Sequence, residues 1–224
     1  MILKSKLFHM CAYDVKYTEV GNGVNYAFVE DKTHMQYLEN TLIIFFEGSN
    51  QVTDWIRNFL FGKRPYKDMK IPYRVHRGFL AAWKEVEDII IQKITEKNSK
   101  SEYKWQRIII VGYSHGGALA AFCHECCWFY RRDAVIEGYG FEAPRIYAGF
   151  RVKKALRERW ATFTVIRNKN DIVTHCPPAI FGYTHVGTVK KIGKKTSTKD
   201  YKWPHCIGAH YPDKVYESLK SEEV

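Results

Sequence analysis

Residues Gly112-Tyr113-Ser114-His115-Gly116-Gly117 constrain this chain more than any other stretch. The run Arg107-Ile108-Ile109-Ile110-Val111 leads into them, and Ala118-Leu119-Ala120-Ala121-Phe122 follows. A short, continuous apolar run of β-branched residues reads as a buried strand, and the alanine-rich run as the opening of a helix. A G-x-S-x-G sequence at such a junction makes a turn so sharp that the serine takes a strained backbone conformation. Side chains two residues to either side would collide, so Gly112 and Gly116 meet a steric need. The turn lifts the Ser114 hydroxyl above the sheet. It also aims the His115 N–H, at the helix start, toward the oxygen of a bound carbonyl. Without its flanks the motif would be a plain glycine-rich turn with an incidental serine, because glycine and serine are common.

At 224 residues the chain suits a single domain over residues 1–224, with a real core, and is short for two. Its 46% hydrophobic and 15% aromatic content excludes a disordered chain. No run approaches the roughly 18 apolar residues of a membrane helix. Met1 to Met10 holds no apolar stretch of useful length, so no secretory signal is expected there. The cysteines are Cys11, Cys123, Cys126, Cys127, Cys176 and Cys206. Three crowd one expected helix at spacings that do not make an ordinary disulfide. Reduced thiols and an intracellular, cytoplasmic setting are therefore expected. Cys123-His124-Glu125-Cys126-Cys127 invites a metal reading, but a zinc site wants a second cluster and none is correctly spaced. Small core residues are expected instead, with no metal and no cofactor.

Thr41-Leu42-Ile43-Ile44-Phe45-Phe46 is a second buried-strand pattern, ending in the turn Glu47-Gly48-Ser49. Phe79, Trp83, Val86, Ile90 and Ile94 step along one helix face, and the polar Lys84, Glu85, Glu87 and Asp88 are expected to face water. Lys97 to Ser101 ends that helix. The helix after Ser114 should run to about Arg132, followed by strands at Ala134–Phe141, Ala161–Arg167 and Tyr183–Ile192. Alternating strands and helices predict an α/β fold with a mostly parallel central sheet and helices on both faces.

A serine is a weak nucleophile at neutral pH. It needs a general base, and the base needs a carboxylate to hold its tautomer. In α/β-hydrolases, whose nucleophile stands on such a G-x-S-x-G turn (the nucleophile elbow), the acid and then the histidine follow it in the chain. Glu125 falls in the elbow helix; Asp133, Glu137 and Glu142 crowd the next strand; Glu158 lies in a charged helical stretch and Asp200 among lysines. Asp171 follows the strand Phe163-Thr164-Val165-Ile166 and the turn Asn168-Lys169-Asn170. That is the carboxyl end of a strand, where open α/β sheets meet ligands. As a plain turn residue it would only cap its own loop. Of the later histidines, His175 is a loop neighbour and His185 lies within an expected strand. His210, before Tyr211-Pro212 and a terminal helix, can swing over the sheet edge toward Ser114, with His205 in the same loop as the alternative.

Five segments over roughly Thr41 to Tyr216 resemble class 3 (fungal-type) lipases, which carry the α/β-hydrolase fold. Phe46-Glu47-Gly48-Ser49 with Asp54-Trp55 resembles the family's oxyanion-loop segment, and Val75-His76-Arg77-Gly78-Phe79 its His-x-Gly-Phe segment. The elbow resembles G-H-S-L-G-G, Phe141-Glu142-Ala143-Pro144-Arg145 resembles F-G-A-P-R, and Asn168 to Pro178 resembles N-x-x-D-x-V-P. This chain departs at Tyr113, commonly histidine; His115, commonly leucine; Glu142, usually glycine; and Thr174, commonly proline. None is a triad position. The resemblance implies that Ser49 joins His115 as an oxyanion donor and that Asn50 to about Phe61 forms a mobile lid. The apolar residues of that segment (Val52, Trp55, Ile56, Phe59, Leu60, Phe61) would equally suit an ordinary core helix. It further implies hydrolysis of a carboxylic ester, in a lipid; triacylglycerol, monoacylglycerol and phospholipid (a phospholipase A1 reaction) are not separated.

The 35 basic against 24 acidic residues leave a charge of +11, which points to an anionic partner, phospholipid surface or nucleic acid. No nucleic-acid reading motif or basic helix is present, so nucleic acid is not expected. Lys190, Lys191, Lys194, Lys195, Lys199 and Lys202 lie between Asp171 and His210, and Lys63, Arg64, Lys67 and Lys70 follow the expected lid. If these are loops at the active-site end of the sheet, each lysine contributes about 1 kcal/mol at an anionic bilayer, less with salt. Solvated surface faces are the plain alternative. A catalytically idle hydrolase scaffold used for binding is the competing function, and intact Ser114, Asp171 and His210 argue against it.

Overall fold

The computed structural model describes residues 2–21, 23–30, 40–49, 62–66, 73–149, 154–168, 171–193 and 205–223, without the side chains of 154–155 and 205–206. The expected lid segment Asn50–Phe61 lies outside the described residues, as do Lys67, Lys70, Lys194, Lys195, Lys199 and Lys202.

In chain order, α1 (Lys4–His9) precedes β1 (Thr18–Val20), β2 (Val24–Glu30) and β3 (Thr41–Phe46). Next, β4 (Lys63–Tyr66) and β5 (Tyr73–His76) lead into α2 (Arg77–Ile94). The elbow joins β6 (Arg107–Tyr113) to α3 (His115–Tyr130), followed by β7 (Val135–Phe141), β8 (Tyr147–Ala148), α4 (Lys154–Arg159) and β9 (Phe163–Asn168). Then come β10 (Tyr183–Thr184), β11 (Thr188–Ile192), α5 (His205–Gly208) and α6 (Pro212–Glu223).

The main sheet has the order β1-β2-β3-β6-β7-β9-β11. From β3 to β11 every neighbouring pair is parallel, and β1 and β2 extend it as an antiparallel ribbon. A second, antiparallel sheet has the order β10-β8-β5-β4. Its strands are two to four residues long, too short to show a period in the sequence. The strand expected over Tyr183–Ile192 is instead two strands in two sheets. The break falls at Gly187, whose φ is +69° and where a Cβ would meet the Phe163 carbonyl oxygen at 2.1 Å.

The continuous apolar runs of β3 and β6 feed both faces of the sheet, because successive side chains alternate. Leu42, Ile44, Phe46, Ile108 and Ile110 pack with Phe79, Trp83, Val86 and Ile90 of α2 and the small residues of α3. Ile43, Phe45, Ile109 and Val111 pack on the opposite face with Leu7 and Phe8 of α1 and Val215 and Leu219 of α6. Residues Gly116 to Cys127 of α3 are all buried. Cys123 and Cys127 are free thiols there, their sulfurs 4.0 Å apart.

Strand and helix meet at the elbow with no room for side chains. A Cβ on Gly112 would come within 2.0 Å of the Gly116 carbonyl oxygen, and one on Gly116 within 2.2 Å of the Phe46 carbonyl oxygen in β3. Both obstacles are backbone, which cannot rotate away. Gly116→Ala is therefore expected to lower the unfolding free energy by about 3 kcal/mol or more. Urea unfolding of the variant beside wild type checks this, and an unchanged midpoint would refute the close crossing.

Candidate active site

Ser114 sits between β6 and α3 with φ +55° and ψ −120°, a conformation that costs a non-glycine residue roughly 1–3 kcal/mol. Its neighbours hold it there. Its N–H donates to the Phe141 carbonyl at 2.9 Å, and its carbonyl accepts the Gly117 N–H at 2.9 Å. Asp171 lies just past β9. Its N–H donates to the Asn168 carbonyl at 3.1 Å, its Oδ1 accepts the Val173 N–H at 2.8 Å, and its carbonyl accepts the Thr174 hydroxyl at 2.9 Å. Thr174 thus ties down the loop at a position where the family commonly has proline.

His210 lies between α5 and α6. Its N–H donates to the Ile207 carbonyl at 2.8 Å, and the Tyr113 hydroxyl donates to its carbonyl. Its ring stacks on Tyr113, with centroids 5.2 Å apart and planes 25° apart. His210 Nδ1 is 2.6 Å from Asp171 Oδ2, and Nε2 is 2.8 Å from Ser114 Oγ. A carboxylate against Nδ1 selects the tautomer with the proton there. Nε2 is then left as the acceptor for the serine proton. Ser114 and His210 are each 2% exposed and Asp171 is fully buried.

The structure therefore brings Ser114, Asp171 and His210 into one hydrogen-bonded chain. Only the backbone of His205, the first residue of α5, is described. His185 lies between β10 and β11 with its Nε2 2.9 Å from the Thr174 carbonyl, and burial pushes its pKa down to about 3. His175 sits among Arg167, Arg145 and Lys191, and burial, reinforced by those cations, lowers its pKa.

A family model described as lipase (class 3) matches residues 43–181. The chain belongs to the class 3 lipase family. It is 28% identical over 158 residues to a lipase of Rhizomucor miehei, covering 66% of this chain and 41% of that protein. It is 29% identical over 161 residues to the secreted mono- and diacylglycerol lipase 1 of Fusarium solani, covering 71% and 46%. The chain thus spans less than half the length of these curated relatives. Among solved structures, the native propeptide complex of Rhizomucor miehei lipase superposes with a TM-score of 0.64 at 22% identity, over 92% of this chain and 66% of that one. A triacylglycerol lipase from Penicillium expansum gives a TM-score of 0.64 at 21% identity, over 84% and 75%. At these identities the likeness shows the fold, which is that of the α/β-hydrolases.

Within this family frame the two expected oxyanion residues flank the elbow. His115 is the first residue of α3, so its N–H has no partner four residues back within the helix. Its ring packs on Phe79 at 5.6 Å, and although a little of it reaches the surface, burial pushes its pKa down to about 4. A neutral imidazole thus stands beside the nucleophile. Ser49 follows β3, whose last residue, Phe46, pairs with Gly112. The intervening Gly48 backs onto Tyr113, whose ring a Cβ would meet at 2.5 Å. His76, in the His-x-Gly-Phe segment, caps α2: its Nδ1 accepts the Phe79 N–H at 3.3 Å.

In the sequence Glu142 stands too close to the next strand to serve as the triad acid. Because β7 and β9 are parallel neighbours, their ends lie side by side, and Glu142 falls next to Asp171. Its glutamate in place of the family's glycine was the available signal. Ligand-type atoms of Glu142, Asp171 and His210 lie within 4.8 Å of one another, but the Nδ1 and Oδ2 atoms there already bond each other. In the cysteine-rich stretch of α3, His124 Nε2 lies 2.9 Å from the Thr162 hydroxyl and Glu125 pairs with Arg159. These side chains are used in packing α3. Lys190 and Lys191 sit on β11, and Lys63 and Arg64 on β4, so these four lie on strands rather than on the expected loops.

Tyr113→Phe keeps the ring against His210 and deletes the hydroxyl that its carbonyl accepts. Leaving that carbonyl unsatisfied is expected to cost about 1–2 kcal/mol of stability. Urea unfolding measures it; no loss would mean the hydroxyl holds nothing.

Proposed function

We propose that this chain hydrolyses carboxylic esters of lipids through an acyl-enzyme on Ser114. The observation that carries the reading is the continuous path from Ser114 Oγ to His210 Nε2 at 2.8 Å and from Nδ1 to Asp171 Oδ2 at 2.6 Å. As Ser114 Oγ attacks the ester carbonyl, Nε2 takes its proton and Asp171 stabilises the imidazolium. The N–H groups of His115 and Ser49 receive the oxyanion. His210 then protonates the departing alcohol, and water, activated by the same ring, releases the acid. Every proton moves between Ser114, His210, substrate and water, so the chemistry asks for no cofactor.

Lipid esters are favoured by the curated relatives, one of which is named a mono- and diacylglycerol lipase. The net charge of +11 tilts the preference toward phospholipid or another anionic interface. Near-complete burial of Ser114 and His210 suits a site covered in water and opened at a lipid surface, the part assigned to the Asn50–Phe61 segment.

Ser114→Ala is expected to lower ester turnover at least about a thousandfold and to abolish fluorophosphonate labelling. His210→Ala should match it, whereas His205→Ala should not. Labelling that survives in Ser114→Ala would remove the assignment and leave the idle-scaffold reading.

For the interfacial part, turnover of a short-chain ester should rise once the substrate passes its solubility limit. Co-sedimentation with anionic vesicles should exceed that with neutral ones, by a margin that shrinks with salt. A smooth saturating curve with equal binding to both vesicles would describe a plain soluble esterase.

A further inference from the structure

Glu142 is not used by the three-residue mechanism, yet it occupies a costly position. Its φ is +50°, the left-handed region where glycine sits without strain and a glutamate does not. It is fully buried. Its Oε1 accepts the Asn168 N–H at 2.7 Å, while Oε2 of an ionised group would have no donor among the described residues. Glycine would remove the strain and the unmet oxygen together.

What faces this carboxyl resolves the second problem. Asp171 lies within hydrogen-bonding reach, and the Asp171–His210 pair completes a cluster within 4.8 Å. Tyr113 approaches from β6, and Arg167, on β9, is the cation that acts on the group. Two buried carboxyls this close do not both ionise. Asp171 has the Val173 N–H on one oxygen and His210 on the other, so it keeps the charge. Burial first, and then the Asp171 charge and hydrogen bond, hold the Glu142 pKa well above the ordinary carboxyl range. A proton on Glu142 turns its orphan acceptor into a donor with Asp171 as the acceptor.

We propose that Glu142 is a positioning residue of the triad: a neutral carboxylic acid that donates an O–H···O hydrogen bond to the Asp171 carboxylate and holds it in line with His210. The role rests on the ester-hydrolase reading and deepens it. By sharing the Asp171 charge, the donor weakens the hold of that carboxylate on the imidazolium.

The test compares Glu142→Gln, which keeps an N–H donor, with Glu142→Met, which fills similar space and has none. The readout is the acidic limb of kcat/KM against pH for a soluble short-chain ester. Glu142→Gln should leave the limb where wild type has it, and Glu142→Met should move it up by about one pH unit. A limb that moves down in Glu142→Gln would mean an ionised glutamate, and limbs unmoved in both variants would mean a space filler; either overturns the proposal. Difference infrared spectra give a reading that needs neither turnover nor a folded Glu142→Met. At neutral pH wild type should show a protonated-carboxyl C=O band that Glu142→Gln lacks, and its absence would also overturn the proposal. Because the band reports the proton on Glu142 directly, failure of this assignment is distinguishable from failure of ester hydrolysis.

Discussion

The site depends on how closely β6 and α3 cross at Ser114. Backbone carbonyls of Gly116 and Phe46 occupy the places where side chains would stand at Gly112 and Gly116. That contact locks β3, β6 and α3 into one rigid corner. It forces Ser114 into its unusual backbone conformation and sets where its hydroxyl projects. It also leaves the first N–H groups of α3 beside the nucleophile. The large apolar cores on both faces of the sheet supply the stability that offsets the local strain.

Around that corner, burial decides which groups carry charge. His115 and His124 are pushed down to about 4 and about 3 by desolvation alone, so both rings are neutral at ordinary pH. His210 is held differently, with a carboxylate against Nδ1. The two neighbouring acids divide the work by their donors. Asp171 is well supplied and Glu142 poorly, so one charge suffices for the pair. The same logic describes the buried polar groups of α3. His124 and Glu125 each reach a different partner across the core.

Much of this was legible in the chain itself. The elbow, the continuous strands and the amphipathic face of α2 are local patterns, written in consecutive or periodic residues. So are the order of the parallel strands' motifs and the candidates Ser114 and Asp171, whereas Ser49 came only from the family resemblance. Tyr183–Ile192 was harder, because a single glycine packed against β9 split an apparently continuous strand. The small antiparallel sheet left no trace, since its strands are too short for a period.

What the sequence by itself determined, then, is the sharp turn, the alternation that makes an α/β sheet, and the residue types of a serine hydrolase. These follow from sterics and periodicity within a few residues. Only the tertiary structure decided which histidine reaches Ser114, because His210 and Ser114 are brought together by the docking of the α5–α6 region against β6 through Tyr113. Only it placed Glu142 beside Asp171. Proximity there comes from the parallel pairing of β7 with β9, a relation between distant segments that no local pattern records.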